Sequence, residues 1–145
     1  MKAKRTGLFI GVFMAIYGLP NVAAQQRPAT KTAIRFVTKS WNDVLALSQK
    51  LHKPIFMDAY AVWCIPCQDL KAQTFTDPRI AAYFNKHFIN VAVDMEKGEG
   101  PKLADEYAID SYPTLLFIDS NGKLIKKAEG FFDAVQLAKI ASEVK

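Results

Sequence analysis

Both cysteines of this 145-residue chain stand in one pentapeptide, Trp63-Cys64-Ile65-Pro66-Cys67, six residues after Asp58 in the apolar run Ile55-Phe-Met-Asp-Ala59. That placement constrains the fold more than any other feature. A short run that is apolar on both faces reads as a central strand, and the pair at i and i+3 then sits where the strand gives way to a helix. Two thiols one helical turn apart can close and reopen a disulfide. The competing uses are a structural disulfide or half a zinc site. Zinc calls for four ligands, and the two histidines, His52 and His87, lack the His-x(3–5)-His spacing of a finger, so no metal is expected. A staple across two intervening residues closes a very small loop and restricts the unfolded chain little, which favours a working redox pair.

The start of the chain has the form of a secretory signal peptide. Lys2, Lys4 and Arg5 form a positive region, Leu8 to Leu19 is apolar, and Pro20 and Val22-Ala23-Ala24 offer a small-residue cleavage site. Cleavage after Ala24 leaves 121 residues, enough for one domain. The apolar run is shorter than the roughly 20 residues that span a bilayer. Of 19 basic residues three lie in the leader, so 16 remain against 14 acids, a mature charge of +2. The basic character belongs partly to the leader and makes no case for nucleic acid. Outside the cytoplasm a disulfide can persist, so export suits the redox reading. The C-terminal Ser142-Glu-Val-Lys145 is no retention signal of the endoplasmic reticulum, which points to a periplasmic or secreted location.

Residues 25–32 are polar and read as a flexible segment. Ala33 to Thr38 alternates as a first strand would. Ser40 and Asp43 form a capping pair for a helix to about Lys50, with Trp41, Val44, Leu45 and Leu51 toward the core. The strand Ile55–Ala59 follows, then a helix from Cys64 to about Gln73. Asp77-Pro78 restarts a helix, with Asp as N-cap and Pro in the first helical position, and it closes near His87-Phe88. Ile89–Val93 is a strand, 102–107 a helix, and Thr114–Ile118 and Leu124–Ala128 a hairpin about Asp119-Ser-Asn-Gly122. A last helix runs over 133–144, with Val135, Leu137, Ile140, Ala141 and Val144 inward. This order predicts an α/β sandwich, a central mixed sheet with helices on both faces.

Several of these stretches resemble thioredoxin-like proteins. The aromatic residue before the pair and the proline within it are similar to the family's redox motif. Asp58 stands where thioredoxins hold a buried carboxylate, Ser111-Tyr112-Pro113-Thr114 looks like the family's cis-proline loop, and Gly130 occupies a frequent glycine position. Thr74-Phe75-Thr76-Asp77-Pro78 interrupts a helix that continues in ordinary thioredoxins and is similar to the C-terminal periplasmic domain of the transmembrane thiol:disulfide interchange reductase. The resemblance implies a thioredoxin-like three-layer sandwich over 33–145. It also implies a thiol–disulfide oxidoreductase that cycles a Cys64–Cys67 disulfide, with no cofactor, as a monomer.

An ordinary cysteine, with a pKa of about 8.5, is only about 3% thiolate at pH 7. Lowering the pKa to near 7 takes about 2 kcal/mol, much of which a helix N-terminus can supply. Cys64 is therefore the nucleophile, and Cys67, one turn in, resolves the mixed disulfide. Pro66 removes an N–H donor and, with no histidine between the cysteines, favours the reducing end of the family, although Ile65 replaces the usual glycine. Asp58, desolvated in a strand, is a candidate proton acceptor. The resemblance makes Pro113 the cis-proline, with Tyr112 beside it shaping substrate contact and Trp63 covering the edge of the site. Two departures remove positive charge: Asn90 stands where thioredoxins place a lysine beside the carboxylate, and Gln68 replaces a common lysine after the second cysteine. Phe75, Phe84, Phe88 and Phe117 read as core. The function expected is reduction of protein disulfides with electrons from a membrane thiol reductase. An oxidase or isomerase, a non-catalytic binding module and a metallochaperone are the alternatives.

Overall fold

In the computed structural model, residues 32–144 are described. The expected leader and its cleavage site, and nearly all of the polar segment after it, lie outside them. The described residues form helices α1 (Trp41–Leu51), α2 (Ile65–Asp69), α3 (Pro78–His87), α4 (Gly100–Glu106) and α5 (Ala134–Ser142). With them are strands β1 (Ile55–Tyr60), β2 (Ile89–Asp94), β3 (Thr114–Ile118) and β4 (Leu124–Glu129). The sheet order is β2-β1-β3-β4, with β1 parallel to β2 and both hairpin strands antiparallel to their neighbours.

Strand β1 is central, and its alternating side chains divide the core in two. Ile55, Met57 and Ala59 join Trp41 and Val44 of α1 and Leu103 of α4 on one face. Phe56 faces the other way, among Leu70, Phe75, Ile80, Phe84, Phe117 and Leu137. Helices on both faces of a mixed sheet make the three-layer sandwich expected from the element order. The four phenylalanines read as core are all buried, and the Phe56 ring lies 4.7 Å from Phe84 edge-on and 5.3 Å from Phe117.

Local signals place the helix ends well. Ser40 Oγ accepts from Asp43 N–H, and Asp77 accepts from the N–H groups of Arg79 and Ile80. Asp133 and Gln136 close a reciprocal capping box on α5. Departures from expectation have local causes. Residues 33–38 form no strand; instead Ile34 N–H bonds Phe75 O, Val37 N–H bonds Asn90 O, and the Asn85 side chain bridges Arg35 N–H and Ala33 O. Isolated backbone bonds to two separate segments and one side chain thus take the place of a continuous ladder. Leu51 and Val135 are exposed; Val135 lies about half a helical turn from the buried Leu137–Ala141 stripe. Helix α4 begins at Gly100 because only a glycine fits there: a Cβ would sit 2.0 Å from Asp94 O.

Candidate functional site

The site is assembled at the C-terminal end of β1. Tyr60 ends the strand, and Cys64 N–H turns back onto Ala61 O at 3.1 Å, which sets Cys64 as the N-cap of α2. Pro66 falls in the first turn, where its missing N–H leaves no helical bond unmade. The two sulfurs are bonded, with Cα atoms 5.3 Å apart. Cys67 N–H points at Cys64 Sγ at 3.2 Å. That donor and the positive end of the helical run are aimed at the sulfur of Cys64, whereas Cys67 lies within the helix. Both residues are buried, 3% and 1% exposed, so accessibility barely separates them in the oxidised state; position at the helix start does.

The helical run does not end as a regular α-helix. Over Leu70–Thr74 it widens into a π turn, closed by Phe75 N–H on Leu70 O at 2.9 Å. Thr74 Oγ then donates to Phe132 O at 2.7 Å, tying the turn to the segment before α5. The chain breaks at Thr76 and restarts at Asp77-Pro78, as the departure from an uninterrupted helix implied.

Around the disulfide, Val62, Trp63 and Ile65 are more than half exposed. Trp63 is held from two sides: its indole N–H donates to Glu96 Oε1 at 2.9 Å, and its ring meets Tyr112 edge-on at 6.0 Å. Tyr112 and Tyr60 pack against the cluster of Ala61, Cys64 and Cys67. The Tyr112–Pro113 peptide bond is cis, and Pro113 O accepts from Gly130 N–H at 2.8 Å. Gly130 has φ +103°, which a side chain rarely tolerates. Burial, together with the carboxylates of Glu96 and Asp94, pushes the Tyr112 hydroxyl up from its usual value.

Asp58 lies on the same face of β1 as Phe56 and Tyr60, fully buried beneath the helical run. Neither carboxylate oxygen finds a hydrogen-bond donor among the described residues. Desolvation raises its pKa from 3.8 to about 7, against a smaller opposing pull from the charge of Lys71. Asn90 stands on the same face of the sheet as this carboxylate, diagonal to it rather than directly opposite. In the parallel pairing with β2, Asp58 lies opposite Ala92, and Asn90 lies opposite Phe56. The Asn90 amide is directed at Phe84 O and Asn85 Oδ1, at 3.4 Å each. Sequence reasoning missed Lys71, Tyr60 and Glu96. Lys71 sits four residues after Cys67 and could have been placed near the site by helix spacing; its seat on Tyr60 could not.

A disulfide at a helix N-terminus, a buried carboxylate on the preceding strand and a proline loop beside them stand as the sequence resemblance implies, and residues 41–145 match the thioredoxin-like domain. The chain belongs to the thioredoxin-like family. It is 31% identical over 93 residues, 62% of its length, to the thiol:disulfide interchange protein DsbD of Photorhabdus laumondii subsp. laumondii, of which it spans 16%. A solution structure of a proposed disulphide-isomerase from Bacteroides thetaiotaomicron superposes with a TM-score of 0.72 at 39% identity, covering 81% of this chain and 98% of that one. The oxidised C-terminal domain of Neisseria meningitidis DsbD shares the fold, with a TM-score of 0.62 at 24% identity over 78% of this chain and all of that one. In this thioredoxin-like protein Cys64 and Cys67 are the Cys-x-x-Cys pair, closed as a disulfide. Among its described residues, no group of three or more His, Cys, Asp or Glu side chains comes together as a metal site.

Proposed function

We propose that the chain is an exported protein-disulfide reductase. The observation that carries this is the local electrostatics of Cys64. Its sulfur sits at the helix start with the Cys67 N–H aimed at it, while Pro66 withholds a further donor. The helix start and the aimed N–H favour the Cys64 thiolate, and the donor that Pro66 withholds supports the reducing direction over a strongly oxidising one.

In the reduced protein the Cys64 thiolate attacks one sulfur of a substrate disulfide, and the other substrate sulfur leaves as a thiolate. The mixed disulfide joins Cys64 to the substrate. Cys67 then gives its proton to the Asp58 carboxylate and attacks Cys64 Sγ, which closes the intramolecular disulfide and releases the second substrate thiol. Two electrons pass from the dithiol to the substrate, and the product is the disulfide form seen in the structure. A carboxyl group with a pKa of about 7 is half ionised at neutral pH, so Asp58 can accept the proton and later release it. Val62, Trp63, Ile65 and Pro66 offer an exposed contact surface, with Tyr112 and Pro113 as the backbone edge along which an extended substrate would lie.

The cycle needs an electron supply. DsbD relatives are named thiol:disulfide interchange proteins, and a membrane thiol reductase delivering a dithiol's two electrons is the partner we assign. Export rests on Lys2, Lys4, Arg5, the apolar stretch to Leu19 and the site at Ala24. Expression of the full chain in a bacterial host, with mass spectrometry of the envelope fraction, should find Gln25 at the N-terminus; an intact leader there would remove the assignment.

The second reading is an isomerase or oxidase, favoured by Ile65 in place of glycine and by the name of the Bacteroides relative. The equilibrium reduction potential of Cys64/Cys67 separates the two. A value near the roughly −270 mV of thioredoxins supports the reductase, and one of about −120 to −180 mV supports the alternative.

A further inference from the structure

The carboxylate that would take the Cys67 proton has no cation directly opposite it in the sheet. Its cross-strand partners are Ala92 of β2 and Leu115 of β3, with Asn90 and Phe117 beside them. The charged residues on this face are Asp94, opposite Tyr60 and paired with Lys97, and Lys126 of β4, opposite Phe117 and paired with Glu143. From β1 itself Tyr60 lies two residues on, and from the helix start come the cysteines, with Cys67 buried in the same layer. Among the described residues, the helical run above supplies the one charge that acts on Asp58: Lys71, the second residue of the π turn.

Lys71 is not a freely moving surface lysine. It is half-buried, and its Nζ lies 3.3 Å from the centroid of the Tyr60 ring, within cation–π range. Tyr60 in turn packs on Ala61, Cys64 and Cys67. A ring face already fixed by the disulfide thus holds the ammonium over the end of the strand that carries Asp58.

We propose that Lys71, seated on Tyr60, is the positioning residue that supplies the cation for Asp58, and so sets the pH range in which Cys67 passes its proton to Asp58 and resolves the mixed disulfide. The proposal rests on the reading of Asp58 as the proton acceptor. Its physical content is a balance. Burial alone drives the carboxyl far from its ordinary range, and the Lys71 charge pulls it back to about 7. Without that charge Asp58 would hold its proton more tightly and the acceptor form would be scarcer at neutral pH. The cation comes here from the helix after the cysteine pair, and the positions of Asn90 and Gln68 are left free of that duty.

The test uses the full oxidised protein with carbon-13 label on aspartate, and follows the Asp58 carboxyl signal from pH 4 to pH 10 by NMR. Asp58→Asn assigns the signal. In Lys71→Met the Asp58 midpoint should rise by about half a unit to one unit, a three- to tenfold gain in proton affinity. Lys71→Arg, which keeps the charge and the ring contact, should restore the wild-type midpoint. Tyr60→Leu, which keeps the charge but removes its seat, should give a smaller rise. An unchanged midpoint in folded Lys71→Met overturns the proposal.

A second measurement tells failure here from failure of the reading beneath it. Resolution of a preformed Cys64 mixed disulfide, followed in a single turnover against pH, should shift with the NMR midpoint. If the midpoint moves and the resolution profile does not, Asp58 is not the acceptor for Cys67, and Lys71's part in the reaction falls with it. Neither result bears on whether the disulfide cycles, which the reduction potential decides.

Discussion

Replacing Asp58 by asparagine isolates the free energy of burying one carboxylate. The ordinary carboxyl pKa of 3.8 is raised to about 7 in the folded protein, chiefly by desolvation. Below pH 3.8 both folded and unfolded states hold the proton, and burial of the neutral acid carries no charge penalty. As pH rises from 3.8 to about 7 the unfolded chain releases the proton while the folded one keeps it, so the unfolded state binds fewer protons and stability falls. Above about 7 the folded state ionises as well, and the loss levels off. A shift of about three units at 1.36 kcal/mol each makes that loss about 4 kcal/mol. The asparagine side chain of the Asp58→Asn variant cannot ionise and escapes it. Its unpartnered amide has a cost of its own, but one that does not vary with pH, so the informative quantity is how the mutant-minus-wild-type difference changes. Urea unfolding of the oxidised proteins at pH steps from 4 to 9 measures it, with all other titrating groups common to both. The difference should grow by about 4 kcal/mol in favour of Asp58→Asn, or about 2 M in midpoint for a urea slope near 2 kcal/mol per molar. A difference that stays flat within about 1 kcal/mol would place Asp58 at an ordinary pKa and refute the desolvation argument.

Three further outcomes follow from the structure. Cys67→Ser should accumulate a covalent adduct between Cys64 and a substrate thiol on non-reducing gels, and Cys64→Ser should not; the reverse pattern would exchange the roles of nucleophile and resolving residue. Gly100→Ala should destabilise by about 1–3 kcal/mol, because the new Cβ collides with the Asp94 carbonyl and the Met95 Cα, both backbone atoms with little room to move; thermal unfolding that matches wild type would mean the α4 start can shift outward. Asp133→Ala removes the side-chain half of the capping box on α5, the acceptor for Gln136 N–H, and should cost about 1 kcal/mol in denaturant unfolding, with Asp133→Asn recovering most of it.

Local chemistry was enough for much of this protein. Ser40, Asp77 and Asp133 announce helix starts because a short oxygen-bearing side chain satisfies N–H groups within three residues of itself, and no distant part of the chain takes part. The run Ile55–Ala59, apolar but for Asp58, marks a strand covered on both faces, and the cysteine pair just beyond it names the reactive centre. Residues 33–38 misled because alternation reports which side chains are buried, as Ile34 is, but not what bonds the backbone; the Asn85 amide does that from another element. The surroundings of Asp58 were likewise beyond a linear reading. Asn90 falls opposite Phe56 through strand register. Lys71 reaches Tyr60 because the helical run folds back over β1, and Glu96 meets Trp63 across 33 residues of sequence. The chain alone therefore determined the element order, the caps and the identity of the two thiols, since each depends on neighbours a few residues away. Only the tertiary structure decided which charge stands over the buried carboxylate and what holds the aromatic rim, since electrostatic coupling follows distance through space and the dielectric between the groups, neither of which is a property of sequence spacing.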